Sequence, residues 1–201
     1  MKVIFCGFGR AALECFYQLM INYPVKNDDI IVFTHDADGN NDFVSHLINN
    51  NIKYYFNNIN LNYDVLHDFN PDYLISIYYR YIINGEVLKL VNYKAINSHP
   101  SLLPKYRGTK SSVWALINGE KKTGITYHYI NEKIDDGKII IQKKIKISDQ
   151  DTAYSLYHKL ISLFILNFCS AIDKLLKNDP GKEQQGTSSY YKRELPFNGV
   201  L

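Results

Sequence analysis

Short apolar runs alternate with segments that carry apolar residues at helical spacing, and this alternation constrains the fold more than any other feature of the sequence. In the segment 10–22, for example, Leu13, Phe16 and Met20 fall on one side of a helix. The predicted strands are residues 2–8, 28–36, 53–56, 72–79 and 94–97, and the predicted helices are residues 10–22, 42–51, 64–69, 85–92 and 111–118. This alternation predicts the α/β class, with a wound, mainly parallel sheet and helices on both faces.

The second half of the chain departs from this alternation. Residues 124–130 and 138–147 are both β-rich, and the second run alternates apolar and basic residues, so we expect one of its faces to contact solvent. A long amphipathic helix follows at residues 152–178 and ends before a Pro-Gly pair.

Length and charge fit one globular domain without a highly charged partner. The 201 residues contain no repeat and no internal linker, so we predict a catalytic domain over residues 1–180 and a polar tail over residues 181–201. A formal net charge of +3, from 23 basic and 20 acidic residues, is too balanced to indicate a nucleic acid or a membrane as partner. The three cysteines lack metal-ligand spacing, and no apolar run suits a signal peptide or a membrane span, which predicts a cytoplasmic protein with reduced thiols.

The turn after the first strand supports one functional alternative. Its sequence, GFGRAA at Gly7–Ala12, opens a helix and matches a loose dinucleotide-binding pattern with Ala in the third glycine position. Asp36 ends the second predicted strand, where an acid could bind a ribose, so the pair suits an NAD-dependent oxidoreductase. The same glycines suit any tight strand-to-helix turn, and the sequence offers no second site for hydride transfer.

The segment INSHPSLLPKYRG, residues 96–108, places an amide and an imidazole at the carboxyl end of a predicted strand. Asn97 and His99 are two residues apart in extended chain, so both side chains point to the same face of the sheet. They lie at the end of the sheet where ligands bind. An amide can donate to an oxyanion and a histidine can transfer a proton near neutral pH, so the pair suits attack on a carbonyl group. The prolines predict a stiff loop beside them. A buried histidine with a purely structural hydrogen bond is the alternative.

Two adjacent acids provide the third candidate group. Asp135 and Asp136 precede Gly137 between two predicted strands. A carboxylate beside an imidazole raises the pKa of the imidazole and selects its tautomer. An acidic pair before glycine is also typical of a solvated turn, and composition does not separate the two interpretations.

The chain resembles the folate-dependent formyltransferases, which use 10-formyltetrahydrofolate to formylate an amine. Two segments carry the resemblance, in this order along the chain: NSHPSLLPKYRG and GITYHYINEKIDDGKII. The resemblance covers most of the chain and implies a single formyltransferase domain of Rossmann-like winding, without a metal. It implies that Asn97 and a protonated His99 stabilise the developing oxyanion and that Asp135 keeps His99 charged. The family's spacing from His128 selects Asp135, and we expect Asp136 to be a solvated turn residue.

The segments VFTHDADG, ISIYYRYII and LLPKYRG are most similar to the branch that formylates amino sugars on nucleotide carriers. This similarity implies a dTDP- or UDP-linked 4-amino sugar as substrate, for the synthesis of lipopolysaccharide O-antigen or a related surface polysaccharide. The residues expected to line the folate pocket are Tyr79, Arg80, Tyr81, Ile82 and Ile130. We expect Lys105, Tyr106 and Arg107 to face the nucleotide sugar, since arginine suits a diphosphate, and a solvated basic loop is the alternative.

Two other members of the family serve as comparisons. The chain has no basic stripe, which argues against the tRNA substrate of methionyl-tRNA formyltransferase. Glycinamide ribonucleotide formyltransferase remains an alternative within the family, although CGFGRAAL differs from its phosphate loop. The sequence leaves the oligomeric state open, with a homodimer as one candidate.

Overall fold

The computed structural model describes residues 1–35 and 42–195, in which one large sheet carries helices on both faces. The strands are β1 (Val3–Gly7), β2 (Ile30–Phe33), β3 (Lys53–Tyr55), β4 (Tyr73–Ile77), β5 (Ala95–His99), β6 (Arg107–Gly108), β7 (Lys122–Tyr129), β8 (Ile139–Lys146) and β9 (Tyr190–Tyr191). The helices are α1 (Gly9–Asn22), α2 (Asp42–Asn49), α3 (Tyr63–Phe69), α4 (Gly85–Leu90), α5 (Ser111–Ile117) and α6 (Ala153–Leu176). The predicted mainly parallel α/β fold is confirmed.

The large sheet has the order β3-β2-β1-β4-β5-β7-β8. Neighbouring strands from β3 to β5 are parallel, whereas β7 is antiparallel to β5 and β8 is antiparallel to β7. Because β2 lies on one side of β1 and β4 lies on the other, the winding reverses between β1 and β4. In sheets of this kind the crevice for ligands lies beyond the carboxyl ends of the strands near that reversal.

Two hydrophobic clusters cover the faces of the sheet, because successive residues of each central strand point to opposite faces. Val3 and Phe5 of β1 join the cluster under α1 and α6, and Ile4 and Cys6 join the cluster under α3 and α4. Complete burial of one phenylalanine side chain, such as Phe164 of α6, stabilises the fold by roughly 1.5–3 kcal/mol. This packing on both faces fixes the positions of the strand ends.

The segment after α6 returns to the sheet and contacts the loop that follows β5. β9 pairs in parallel with β6 in a small second sheet. The ring of Tyr191 lies 4.6 Å from the ring of Trp114 and stacks on the ring of Tyr106 at 5.2 Å. The sequence patterns did not predict β6 or β9, because two residues are too few to establish a periodicity.

Three further observations concern the described part of the chain. None of its helices combines the length and the hydrophobicity needed to cross a membrane. Residues 1–35 and 42–195 contain no group of three or more His, Cys, Asp or Glu side chains placed to hold a metal ion. The three cysteines are free thiols, and Cys6 and Cys15 are buried in the helix–sheet packing.

Candidate active site

A cavity of about 560 Å³ opens at the carboxyl ends of β4 and β5. Asn97 and His99 line this cavity from β5, His128 lines it from β7, and Asp135 lines it from the loop between β7 and β8. The structure therefore brings the three predicted catalytic residues together, although Asp135 lies far from Asn97 and His99 in the sequence.

Asn97 lies in the middle of a row of polar side chains that crosses three strands. Ser76 of β4 is its partner in register on one side, and His128 of β7 is its partner on the other. The Ser76 hydroxyl donates to Asn97 Oδ1 at 2.8 Å, and Asn97 Nδ2 lies 3.2 Å from His128 Nε2. Because Oδ1 is occupied by Ser76, the NH₂ group of Asn97 is the part of the amide that remains for a ligand.

His99 ends β5 and is buried, with 4% of its surface exposed. Its Nε2 donates to the backbone carbonyl of Tyr106 at 2.7 Å, and its Nδ1 lies 3.3 Å from Oδ2 of Asp135. Burial lowers the pKa of His99 below its ordinary value, and the Asp135 carboxylate offsets only part of this effect. The expected effect of Asp135, which raises the His99 pKa, is present but is smaller than the opposite effect of burial. That Asp135 keeps His99 charged stays a prediction.

Asp135 occupies a left-handed backbone conformation with φ of 49°. Its carboxylate accepts a hydrogen bond from the Gly108 amide at 2.8 Å and faces the imidazoles of His99 and His128. Burial acts to raise the pKa of this carboxyl, but the two imidazoles and the amide outweigh it and lower the pKa from 3.8 to about 2. Asp135 is therefore an anion throughout the neutral range.

His128 is a functional candidate that was not predicted from the sequence, where it served only as the reference for the position of Asp135. Its Nδ1 donates to the Tyr129 carbonyl at 2.8 Å, which directs Nε2 toward Asn97 and places it 3.5 Å from Asp135 Oδ1. The available signal was a single histidine inside the apolar run GITYHYI, where a buried polar side chain requires partners. His128 thus connects the amide of Asn97 to the carboxylate of Asp135.

Asp136 differs from the expectation of a solvated turn acid. Its Oδ1 lies 2.5 Å from Nη2 of Arg107, and the side chains of Arg107 and Asp136 are only 17% and 30% exposed. The Arg107 guanidinium also donates to Gln184 Oε1 at 2.7 Å. The expectation is wrong because the chain after α6 covers this turn and leaves Asp136 beside a half-buried cation.

The three basic-loop residues predicted to face a nucleotide sugar have other partners. Lys105 Nζ lies 3.4 Å from Glu120 Oε1, the Tyr106 hydroxyl donates to the same oxygen at 2.9 Å, and Arg107 pairs with Asp136. Among the described residues, the cavity wall contains none of the three, so their contact with a substrate stays a prediction. Lys110 is the cation of this loop that does line the cavity.

The five residues predicted for the folate pocket, Tyr79–Ile82 and Ile130, all line the cavity. The Tyr79 hydroxyl accepts a hydrogen bond from the Ile59 amide at 3.0 Å, and the Arg80 guanidinium lies 5.3 Å from the centre of the Tyr81 ring. The structure thus places these residues on the same cavity as the catalytic cluster, and their contact with folate stays a prediction.

The glycine turn after β1 has a structural explanation. A Cβ at Gly7 would lie 2.7 Å from the Cβ of Ala12, and Gly9 has a positive φ of 66°. Phe8 stacks on His35 at 4.1 Å, and none of residues 7–12 lines the cavity in the described chain. Asp36 lies outside the described residues, so its predicted ribose contact has no structural outcome.

Comparison with known proteins decides between the alternatives. Residues 40–163 match the family described as "Formyl transferase". The chain belongs to the formyl transferase family. This finding confirms the resemblance in the sequence and overturns the NAD-dependent oxidoreductase alternative.

The relatives of this formyl transferase include enzymes named for amino sugars. GDP-perosamine N-formyltransferase of Brucella melitensis is 41% identical over 203 residues, spanning 100% of this chain and 78% of the relative. The bifunctional polymyxin resistance protein ArnA of Wigglesworthia glossinidia brevipalpis is 37% identical over 215 residues, spanning 100% of this chain and 32% of the relative. An N-formyltransferase of Helicobacter canadensis, solved with folinic acid and dTDP-3-aminofucose, matches with a TM-score of 0.82 at 26% identity, over 96% of this chain and 71% of that one.

Proposed function

We propose that this chain transfers the formyl group of 10-formyltetrahydrofolate to the amine of a nucleotide-linked amino sugar. The observation that carries the proposal is the cluster of Asn97, His99, His128 and Asp135 on one cavity. The substrate class is supported by the relative named for GDP-perosamine and by the structural neighbour solved with dTDP-3-aminofucose. These two names carry different nucleotides and different sugars, so neither is assigned to this chain.

Tyr79–Ile82 and Ile130 would hold the folate. The segment Tyr79–Ile82 follows β4 and belongs to no helix or strand, so its backbone groups are not used by a regular ladder and can pair with the polar edge of a pterin. The rings of Tyr79 and Tyr81 and the side chain of Ile82 add flat and apolar surface. This combination fits a planar ring with hydrogen-bonding groups along one edge.

Asn97 would stabilise the charge that develops on the formyl oxygen. The amine attacks the formyl carbon, and the oxygen of that group becomes an oxyanion. Ser76 holds Asn97 Oδ1, and one N–H of Asn97 meets His128, which leaves its second N–H for the oxyanion. Donors in this position typically contribute about 10²–10³-fold to kcat.

Asp135, His99 and His128 would move the proton. The attacking nitrogen must lose one proton and the departing folate nitrogen must gain one, while the bond from carbon to the sugar nitrogen forms and the bond to the folate nitrogen breaks. Asp135 is an anion between two imidazoles and would accept the amine proton, directly or through a water molecule. Since the attacking amine must be neutral, we expect the rate to fall in acid.

The finer parts of the proposal concern context. We place the enzyme in the cytoplasm, with its product used for lipopolysaccharide O-antigen or a related surface polysaccharide, in line with the relative named for GDP-perosamine. A homodimer is the oligomeric state that we propose to test by sedimentation.

Mass spectrometry tests the proposed reaction. The protein is incubated with 10-formyltetrahydrofolate and, separately, with GDP-perosamine, dTDP-3-aminofucose, a UDP-linked 4-amino sugar and glycinamide ribonucleotide. We expect one of the nucleotide sugars to gain a single formyl group. Formylation of glycinamide ribonucleotide alone, or of no acceptor in the panel, would overturn the proposal.

A further inference from the structure

The chain segment after α6 contacts the loop that follows His99 and the turn that carries Asp135. We define the clamp as residues 182–191, which run from the start of β8 to the loop after β5. At its beginning, Lys182 and Ile139 exchange two backbone hydrogen bonds at 2.7 and 2.8 Å. At its end, β9 pairs with β6. The clamp therefore lies across the loop that follows His99 and the loop that carries Asp135.

The first contact of the clamp fixes the partner of His99. The backbone amide of Tyr106 donates to Ser189 Oγ at 2.8 Å, and the amide of Arg107 donates to the Ser189 carbonyl at 2.9 Å. The Tyr106 carbonyl, held between these two bonds, accepts the hydrogen bond from His99 Nε2. The hydrogen bond from Nε2 of the imidazole thus depends on a backbone carbonyl whose position the clamp fixes.

The second contact of the clamp fixes the turn that carries Asp135. Gln184 Nε2 donates to the carbonyls of Asp135 and Gly137, both at 2.8 Å. Its Oε1 accepts from Arg107, whose guanidinium also pairs with Asp136. One amide therefore uses both of its N–H groups and its oxygen to connect the turn to β6.

We propose that Gln184 is a positioning residue that sets the distance between the Asp135 carboxylate and the His99 imidazole. The inference rests on the proposed function of the cluster, and it adds the clamp to the catalytic machinery. Asp135 holds a left-handed conformation, which is uncommon for a residue with a Cβ although aspartate tolerates it better than most, and Gln184 supplies two hydrogen bonds around that residue. Loss of these bonds lets the carboxylate move relative to His99, and a displacement of about 1 Å in such a site can cost ~10²-fold in rate.

The experiment compares Gln184→Met with Gln185→Met in the full chain. Methionine has nearly the shape of glutamine without its donors and acceptor, and Gln185 is exposed in the neighbouring position. We expect Gln184→Met to lower kcat by roughly 10–100-fold, with both KM values within about threefold of wild type, because the reacting groups and not the ligand-binding walls are displaced. Gln185→Met should match wild type in all three constants.

A second variant separates a positioning role from a merely structural one. Gln184→Asn keeps the amide but is one methylene too short to reach the two carbonyls, so it should lower kcat in the same way while the melting temperature stays close to that of wild type. Unchanged kcat in a folded Gln184 variant would overturn the proposal, as would a rise in both KM values with kcat retained.

The NMR titration of His99 does not require turnover, so it tests the role of Gln184 independently of the proposed reaction. The charged or titratable groups that face His99 are Asp135, His128 and Arg107. When Asp135 moves away, His99 loses its stabilising anion, so its NMR titration midpoint should fall in Gln184→Met and stay unchanged in Gln185→Met. An unchanged titration midpoint of His99 in Gln184→Met would overturn the positioning role of Gln184. Absence of turnover by the wild-type protein with every acceptor refutes only the proposed function.

Discussion

Replacement of Asp135 by asparagine tests the chemistry of the cluster with little change in shape. Asparagine tolerates the left-handed backbone that Asp135 adopts and can still accept the hydrogen bond from the Gly108 amide. It cannot carry the negative charge that faces His99 and His128. The substitution therefore removes the anion from the cluster while the turn remains.

The size of the effect follows from the surroundings of the carboxylate. We expect kcat of Asp135→Asn to fall by roughly 10²–10⁴-fold, the range typical of positioned acid–base groups, with KM values near those of wild type. A pKa lowered from 3.8 to about 2 corresponds to about 2 kcal/mol of native-state stabilisation, since the side chain is only 11% exposed. This stabilisation is complete above the ordinary pKa and is lost as the pH falls toward 2.

Two measurements check this reasoning. Single-turnover formylation monitored by mass spectrometry gives the loss in rate, with Asp136→Asn as the matched control. We expect the control to lose less than about tenfold, because Arg107 keeps its bond to Gln184 when Asp136 is neutral. Thermal melts at pH 7 should place Asp135→Asn roughly 4–8 °C below wild type, and the gap should narrow as the pH falls below 4. A dead Asp136→Asn beside an active Asp135→Asn would refute the assignment.

Three further predictions follow from the site and its surroundings. Ser76→Ala removes the hydroxyl that orients the Asn97 amide and should lower kcat by about tenfold, the worth of one hydrogen bond. Steady-state kinetics at saturating folate would detect this, and a kcat equal to that of wild type would contradict it. Steady-state kinetics of Lys110→Ala should show a larger rise in the KM for the nucleotide sugar than in the KM for folate, because Lys110 lines the cavity, and equal changes in both constants would contradict this. The pKa of His35 is lowered from 6.5 to about 4, chiefly by burial and secondarily by Arg80, so the free energy of unfolding should decrease as the pH falls from 6.5 toward 4. Urea titrations at several pH values should show a weaker pH dependence of that free energy in His35→Phe, and an unchanged pH dependence would count against the argument.

The sequence predicted most of the secondary structure because long apolar runs and amphipathic segments leave a local periodicity. β1 through β5, α1 and α6 lie within two or three residues of their predicted bounds. The carboxyl end of β5 was also recognisable, since Asn97 and His99 interrupt an apolar run at the place where wound sheets bind ligands.

The connections across the sheet could not be predicted, because register is a property of two strands and not of one. The alignment of Ser76, Asn97 and His128 across β4, β5 and β7 depends on how three separate segments pair. The partners of Arg107 were hidden for the same reason: Asp136 reaches it from the loop between β7 and β8, and Gln184 reaches it from the segment after α6. A basic residue in a loop looks solvated until the segment that covers it is known.

The packing of Trp114 has a spectroscopic consequence. It is the single tryptophan of the chain, its ring lies against Tyr191 of β9, and its Nε1 donates to the Lys192 carbonyl at 3.4 Å. Detachment of the segment after α6 would expose this indole to water, whereas the 17 tyrosines are spread over the whole molecule. Emission excited selectively at the red edge of the absorption band therefore reports on this one local contact, while circular dichroism reports on the helices. In a denaturant titration, a shift in that emission ahead of the loss of helical circular dichroism would mean that this segment opens while the sheet is still intact.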